Sequence, residues 1–237
     1  MPLTQECPKG LVPFHGKRIL DWILEALSPL GVDEVVYVGG WQVDSVRSAY
    51  PSFTYVVNDR WAETNILWSL LAAREHMREG FVCSYVDIVY RPEPIRALAA
   101  SPHPATLVVD TRWRDRYRER TQHPETDGEK VLAQGERVTA VGRWIDPAAA
   151  TGEFIGVARF TRQGAQGLLD EWDRISSERA DGPLGRSASR EKAYLVDLFD
   201  EMLARGQTMH RVDTHGDYFE IDTTEDYELA TRDWRHR

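Results

Sequence analysis

Apolar residues recur at intervals of three and four from Lys17 to Ser28, at Ile19, Leu20, Trp22, Ile23, Ala26 and Leu27, and Pro29 and Gly31 stop the run. That is the period of an amphipathic helix. The valine-rich stretch Glu34 to Val38, closed by Gly39-Gly40, predicts a buried strand. Gln42 to Ala49 reads as a short helix and Phe53 to Val57 as a second strand. Thr64 to Arg78 is a strong helical pattern, with Ile66, Leu67, Leu70, Leu71 and Met77 on its inner side and Gly80 beyond its end. Phe81 to Val86 is strand-like again. Helices and strands that alternate in this way predict an α/β fold, Rossmann-like, with a mostly parallel sheet flanked by helices.

The second half departs from strict alternation. Ala105 to Asp110 is a buried strand, and an arginine-rich polar stretch follows it. Lys130 to Ala133 and Arg137 to Trp144, separated by a turn at Gly135, predict a small antiparallel insertion. Phe154 to Phe160 reads as a strand, Gly164 to Ser176 and Glu191 to Arg205 as helices, and the end as strand, turn, strand, helix. Ala180 to Ser189, polar and glycine-containing, reads as a mobile loop. No internal repeat occurs, and one domain over residues 1–237 is the expected organisation.

With 42 % hydrophobic and 28 % charged residues, the chain has the composition of an ordinary globular protein and not of a disordered or fibrous one. The two cysteines, Cys7 and Cys83, are too few for a disulfide framework and lack metal-binding spacing, which fits a reducing, cytoplasmic location. The longest stretch without a charge, Ala97 to Val109, has 13 residues and two prolines, too short to span a membrane. No basic, apolar leader opens the chain. Lysine and arginine number 29 against 38 acids, a formal charge of -9 that disfavours binding to nucleic acid. The glycine pattern of dinucleotide-binding folds, the P-loop, the HExxH zinc helix and the GxSxG elbow are all absent.

Several positions nevertheless combine polar chemistry with a place that presents it. Lys9 lies in a loop just before the first helix; a solvated surface lysine is the plain alternative. Asn65 and Ser69, four apart, share one face at a helix start, where unpaired N–H groups also point outward; helix capping explains Asn65 equally well. Asp87 closes a buried strand, after Ser84 and Tyr85, at the edge where open α/β sheets place ligands. A carboxylate there suits Mg²⁺, although a turn residue is the commoner case. Asp222 ends another strand and, with Glu225 three residues on, has the spacing of a capping box. Glu220, two residues earlier, shares its face. From Arg112 to Arg120 every second residue is arginine, a pattern that makes one face on a strand and scatters on a helix. One or two of these suit a bidentate clamp on a phosphate or phosphonate; a nucleic-acid stripe is the weaker reading in so acidic a chain.

The order of motifs carries a resemblance that spans Pro2 to about Tyr227. Pro2-Leu3-Thr4, Pro8-Lys9-Gly10-Leu11 and Gly16-Lys17-Arg18-Ile19-Leu20 resemble the end of the signature loop of the sugar-phosphate nucleotidyltransferases. Asn65-Ile66-Leu67-Trp68-Ser69, Ser84-Tyr85-Val86-Asp87-Ile88 and Ile221-Asp222-Thr223 resemble later motifs of that family, most of all those of cytidylyltransferases that activate phosphocholine or small phosphonates. The resemblance implies a Mg²⁺-dependent enzyme that joins CMP from CTP to a small phosphonate or phosphorylated alcohol. It implies Lys9 as the neutraliser of triphosphate charge, Asp87 and Asp222 as metal ligands, and Asn65, Ser69, Ser84 and Tyr85 beside the nucleotide. Arg112, Arg120, Lys130, Glu153 and Glu220 are the expected acceptor-side residues, with Gly156 either allowing close approach of a ligand or marking a bulge.

Two departures qualify the match. Relatives carry a first strand and a glycine-rich loop upstream of the lysine, and this chain begins after them, so either the start lies further upstream or the protein is a nonfunctional remnant. Many relatives also have Asp-x-Asp where this chain has Tyr85 and Asp87. A catalytically silent nucleotide-binding subunit, a sugar-1-phosphate nucleotidyltransferase and a glycosyltransferase stay open as alternatives, and a homodimer is compatible with the sequence.

Overall fold

A hairpin of β1 (Pro13–Phe14) and β2 (Lys17–Arg18) opens the computed structural model, which describes residues 7–178 and 182–234. Its turn residues His15 and Gly16 both have positive φ, 46° and 83°, as the tightest hairpins require. Helix α1 (Ile19–Leu27) follows, with Asp21 accepting from the Arg18 N–H at 2.9 Å at its start. Strands β3 (Val36–Gly39) and β4 (Thr54–Val57) pair in parallel around α2 (Val43–Ala49). The helical pattern predicted for Thr64 to Arg78 divides into α3 (Ile66–Ala72) and a 3-10 turn at Arg74–His76.

The remaining strands are β5 (Gly80–Ser84), β6 (Ile88–Tyr90), β7 (Ala105–Asp110), β8 (Lys130–Gln134), β9 (Arg137–Gly142), β10 (Gly152–Thr161), β11 (Met209–Thr214) and β12 (Tyr218–Glu220). Between and after them lie α4 (Glu93–Ala100), α5 (Arg114–Tyr117), α6 (Arg162–Glu178), α7 (Leu195–Ala204) and α8 (Thr224–Asp233). The largest sheet has the order β5-β10-β7-β11-β9-β8. It is mixed: β7 and β11 are parallel, whereas β10 runs antiparallel to both its neighbours and β8 and β9 form the expected antiparallel hairpin. The α/β class read from the sequence holds, while parallel pairing among the described residues is confined to β7/β11 and β3/β4. Of the predicted loop 180–189, residues 180 and 181 lie outside the described residues.

Helices cover both faces of this sheet, which explains why β7 reads as an almost unbroken apolar run. Leu107 and Val109 pack towards α6 and α7 with Phe160, Leu168 and Phe199, and Val108 packs on the opposite side with Ile19, Ile95 and Trp234. Strands β3 and β5 each have a single neighbouring strand among the described residues, and their apolar side chains are half-buried.

Candidate active site

A short antiparallel ladder assembles the site. Strand β6 pairs with β12 so that Ile88 faces Glu220, and the Ile221 N–H donates to the Asp87 carbonyl at 2.7 Å, carrying the ladder one step past the strands. Asp87 and Asp222, 135 residues apart, are thereby brought side by side. The third partner comes from a 3-10 turn, Lys9–Leu11, that packs on the same strand end. A β-carbon on Gly10 would lie 2.8 Å from the Val86 Cγ2, so the turn approaches closely only because residue 10 is glycine.

The Lys9 ammonium lies between the two acids, donating to Asp87 Oδ2 at 2.8 Å and, more closely, to Asp222 Oδ1. All three side chains are roughly a quarter to a third exposed, at 31 %, 23 % and 24 % for Lys9, Asp87 and Asp222. Burial alone would lower the Lys9 pKa, but the two carboxylates outweigh it and hold the ammonium well above the usual lysine range. Two carboxylates already sharing one cation fit a second requirement, that of a hard divalent ion with oxygen ligands. Ligand atoms of Asp222, Glu220 and His123 also lie within 4.8 Å of one another. The His123 Nδ1, however, is 3.1 Å from Arg120 Nη2. A guanidinium only donates, so that nitrogen accepts and the imidazole proton sits on Nε2.

Behind this pair lies a network of buried charge. The segment 112–120 folds around the short helix α5, and its arginines scatter: Arg116 and Arg120, four apart, point inward, and Arg112, Arg114 and Arg118 outward. Arg116 bridges Asp110, at 2.5 Å, and Glu153, and lies 4.1 Å from the Tyr218 ring centroid; Tyr117 donates to Glu153 at 2.6 Å. Arg120 donates through Nε to Asp226 at 2.7 Å and through Nη2 to Glu220 at 3.1 Å. Glu220 is pushed up to about 7 by burial and by Asp222 and Glu153, against the pull of Arg120. Glu129 is pushed up to about 8, mainly by burial, although the Tyr85 hydroxyl donates to its Oε2 at 3.1 Å. Tyr85 takes that position because residue 156 is glycine: Gly156 has φ 85°, and a β-carbon there would lie 2.4 Å from the tyrosine ring. Gly156 also lies in the register shift between Phe154 and Ala158 where β10 pairs with β7, so the bulge that the sequence admitted is present here.

Of the residues singled out in the sequence, Lys9, Asp87, Asp222 and Glu220 converge. Others are committed to the protein itself. Asn65 caps α3, accepting from the Ile66 N–H at 2.8 Å and donating to the Lys192 carbonyl at 3.2 Å, and Ser69 accepts from Asn58 at 3.2 Å. The Ser84 hydroxyl contacts the Tyr85 carbonyl and the Tyr90 hydroxyl, both at 3.0 Å. Lys130, expected on the acceptor side, is buried and donates to the carbonyls of Glu125, Thr126 and Gly128 at 3.4, 3.0 and 2.8 Å. Glu153 is the counter-ion of Arg116. Arg112 is exposed and paired with Asp115 at 2.8 Å. His123 and Asp226 were not singled out as site residues; Arg116 is one of the alternating arginines of 112–120, and Glu129 stands in the Glu129-Lys130 segment that the resemblance puts beside the acceptor. The capping box is also shifted by one residue from the predicted spacing: Thr223 and Asp226 form it, and Glu225 instead accepts from the Thr121 N–H at 2.9 Å. That shift leaves the Asp222 side chain free to meet Lys9.

A lysine and two acids brought together from distant segments of an α/β fold, at the end of the β6/β12 ladder, suit the handling of a phosphate-bearing ligand. The comparisons make the class specific: residues 3–171 match the MobA-like NTP transferase domain, and the chain belongs to that family. It is a nucleotidyltransferase of the cytidylyltransferase-like kind. It is 23 % identical over 239 residues to the CTP:phosphoglutamine cytidylyltransferase of Campylobacter jejuni, covering 97 % of this chain and 93 % of that one. It is 29 % identical over 107 residues to the 2-aminoethylphosphonate cytidylyltransferase of Lancefieldella rimae, covering 40 % and 43 % of the two chains. The solved structure of CTP:phosphocholine cytidylyltransferase from Streptococcus pneumoniae superposes with a TM-score of 0.70 at 18 % identity, over 98 % of this chain and 91 % of that one.

Proposed function

We propose that this protein transfers CMP from CTP to a small phosphate or phosphonate that also carries a cationic nitrogen, with Mg²⁺ held by Asp87 and Asp222. The observation that carries the reading is the Lys9 ammonium shared by two acids from opposite ends of the chain. An acceptor oxygen attacks the α-phosphorus in line; the new O–P bond forms as the bond to the β-phosphate oxygen breaks, and pyrophosphate leaves with the electron pair. That oxygen is already anionic, so no strong general base is needed, and catalysis consists of positioning and charge neutralisation. Asp87 and Asp222 would hold a divalent ion, which when bound would supply Lewis-acid stabilisation of the phosphate charge. Lys9 moves from the carboxylates to the triphosphate and neutralises charge there.

The acceptor class rests on the acids behind the pair. Glu220 and Glu129 are half-buried carboxyls, Glu220 raised by burial and by Asp222, Glu129 by burial and by Glu220, and a cationic group on the acceptor relieves that cost. Relatives named for phosphoglutamine, aminoethylphosphonate and phosphocholine all use nitrogen-bearing acceptors. The test is pyrophosphate release from the four nucleoside triphosphates, each paired with aminoethylphosphonate, phosphocholine, glucose 1-phosphate and a nitrogen-free alkylphosphonate. Release with CTP and a nitrogen-bearing acceptor is expected, falling about 10²- to 10³-fold in Asp87→Asn with the fold intact. Preference for glucose 1-phosphate, or full turnover by Asp87→Asn, would contradict the reading.

A further inference from the structure

The carboxylate of Asp226, 1 % exposed, takes more than a helix cap needs. Its Oδ2 accepts from the Thr223 N–H at 2.8 Å and the Thr223 hydroxyl at 2.9 Å, which is the reciprocal half of the capping box on α8. The same oxygen accepts from the Asp222 N–H at 3.2 Å, one residue before the cap. Its Oδ1 accepts from Arg120 Nε at 2.7 Å, and the same guanidinium reaches the Glu220 carboxylate through Nη2 at 3.1 Å. One buried ion pair therefore grips residues 220–222 at both ends, by a side chain at Glu220 and by the backbone at Asp222. The Asp222 carboxylate, lacking any bond to the cap, is left directed at Lys9 and Asp87.

We propose that Asp226, with Arg120 as its counter-charge, is a positioning residue that fixes the Asp222 backbone and so sets where the Asp222 carboxylate stands. Neither residue touches the reacting atoms: Asp226 acts through the main chain and Arg120 through Asp226 and Glu220. This inference rests on the reading that Asp222 holds the divalent ion, which the experiment checks separately.

The measurement is Mn²⁺ binding to the full chain by electron paramagnetic resonance, without nucleotide, alongside unfolding midpoints and steady-state kinetics. Asp226→Ala is expected to weaken Mn²⁺ binding by about 10- to 100-fold, the range found when groups that orient a metal ligand are removed. It should lower kcat while leaving the acceptor KM within about twofold. Asp226→Asn, whose amide oxygen still accepts the two backbone N–H groups, should recover most of the Mn²⁺ affinity. Should Asp226→Ala not fold, Asp226→Glu keeps a charge for Arg120 but displaces the carboxylate by a methylene, and the same weakening is expected of it. A folded Asp226→Ala or Asp226→Glu protein that binds Mn²⁺ like the parent overturns the proposal, and so does equal loss in Asp226→Asn and Asp226→Ala. Asp222→Asn separates the two levels. If it binds Mn²⁺ like the parent, the metal reading itself fails; if it loses Mn²⁺ while the Asp226 variants keep it, only the positioning role fails.

Discussion

Replacing Lys9 by methionine keeps the length of the side chain and removes the cation that Asp87 and Asp222 share. At an effective dielectric of about 20, unit charges about 4 Å apart attract by about 4 kcal/mol. The three side chains retain partial exposure, so solvent screening and the desolvation of Lys9 reduce the net value of the two contacts to about 2 kcal/mol. For a domain of this size that corresponds to a fall in melting temperature of about 4–8 °C. The two carboxylates, left facing one another, then bind another cation without first displacing an ammonium. Calorimetric titration of Lys9→Met with Mn²⁺ in the absence of nucleotide should show affinity raised by about tenfold, equivalent to about 1.4 kcal/mol. Differential scanning calorimetry should show a loss of stability in chelator that Mn²⁺ restores. Turnover should nonetheless collapse, because the triphosphate loses its ammonium. Unchanged Mn²⁺ affinity together with an unchanged melting temperature would mean that Lys9 does not hold the cation position, and the electrostatic account of the site would be wrong.

Glu129 makes a prediction about pH. Its carboxyl is held up at about 8 in the fold against about 4.3 in an unfolded chain, so the folded state binds the proton more tightly and stability should fall as pH rises between those values. Denaturant midpoints at pH 5 and pH 8.5 should differ by less in Glu129→Gln than in the parent; an equal difference would remove Glu129 as the source. Gly156→Ala places a β-carbon 2.4 Å from the Tyr85 ring at φ 85°, and should cost about 2 kcal/mol or more while turning Tyr85 away from Glu129. Urea unfolding measures the cost, and a loss below about 0.5 kcal/mol would show that the ring moves aside freely.

Local pattern made much of this architecture legible. Strand β7 is found over Ala105 to Asp110, the residues predicted, because both its faces are buried and only Thr106 breaks the apolar run before Asp110. Asp222 stands out because it follows the buried strand β12; Asp87, expected to close the strand Phe81 to Val86, instead lies beyond the end of β5 at Ser84 and directly precedes β6. What stayed hidden depends on long-range pairing. The run of strands gives no sign that β10 enters antiparallel between β5 and β7, since nothing local to Phe154–Phe160 encodes its neighbours. Strand β6 has only three residues and helix α4 carries a proline at its start, so neither has the length for a clear period. Alternate arginines at 112–120 suggested a strand face as readily as a helix, and the buried acids that select Arg116 and Arg120 lie up to 106 residues away. Glycine at 156 admitted a bulge or a close ligand; the fold shows the bulge, and with it the Tyr85 ring against the glycine.

The closeness of Lys9 to Asp222 has a consequence for synthesis. These residues are separated by 213 positions, so the ion pair closes a loop of nearly the entire polypeptide. On the ribosome, the sheet strands β5, β7 and β10 are complete long before β12 emerges, and until it docks against β6 the first acid and the lysine face water without the second. A stalled or prematurely terminated product would therefore contain most of the core yet lack the assembled Lys9–Asp87–Asp222 cluster, and under the proposed function nucleotide-dependent protection from proteolysis would report on whether translation has finished.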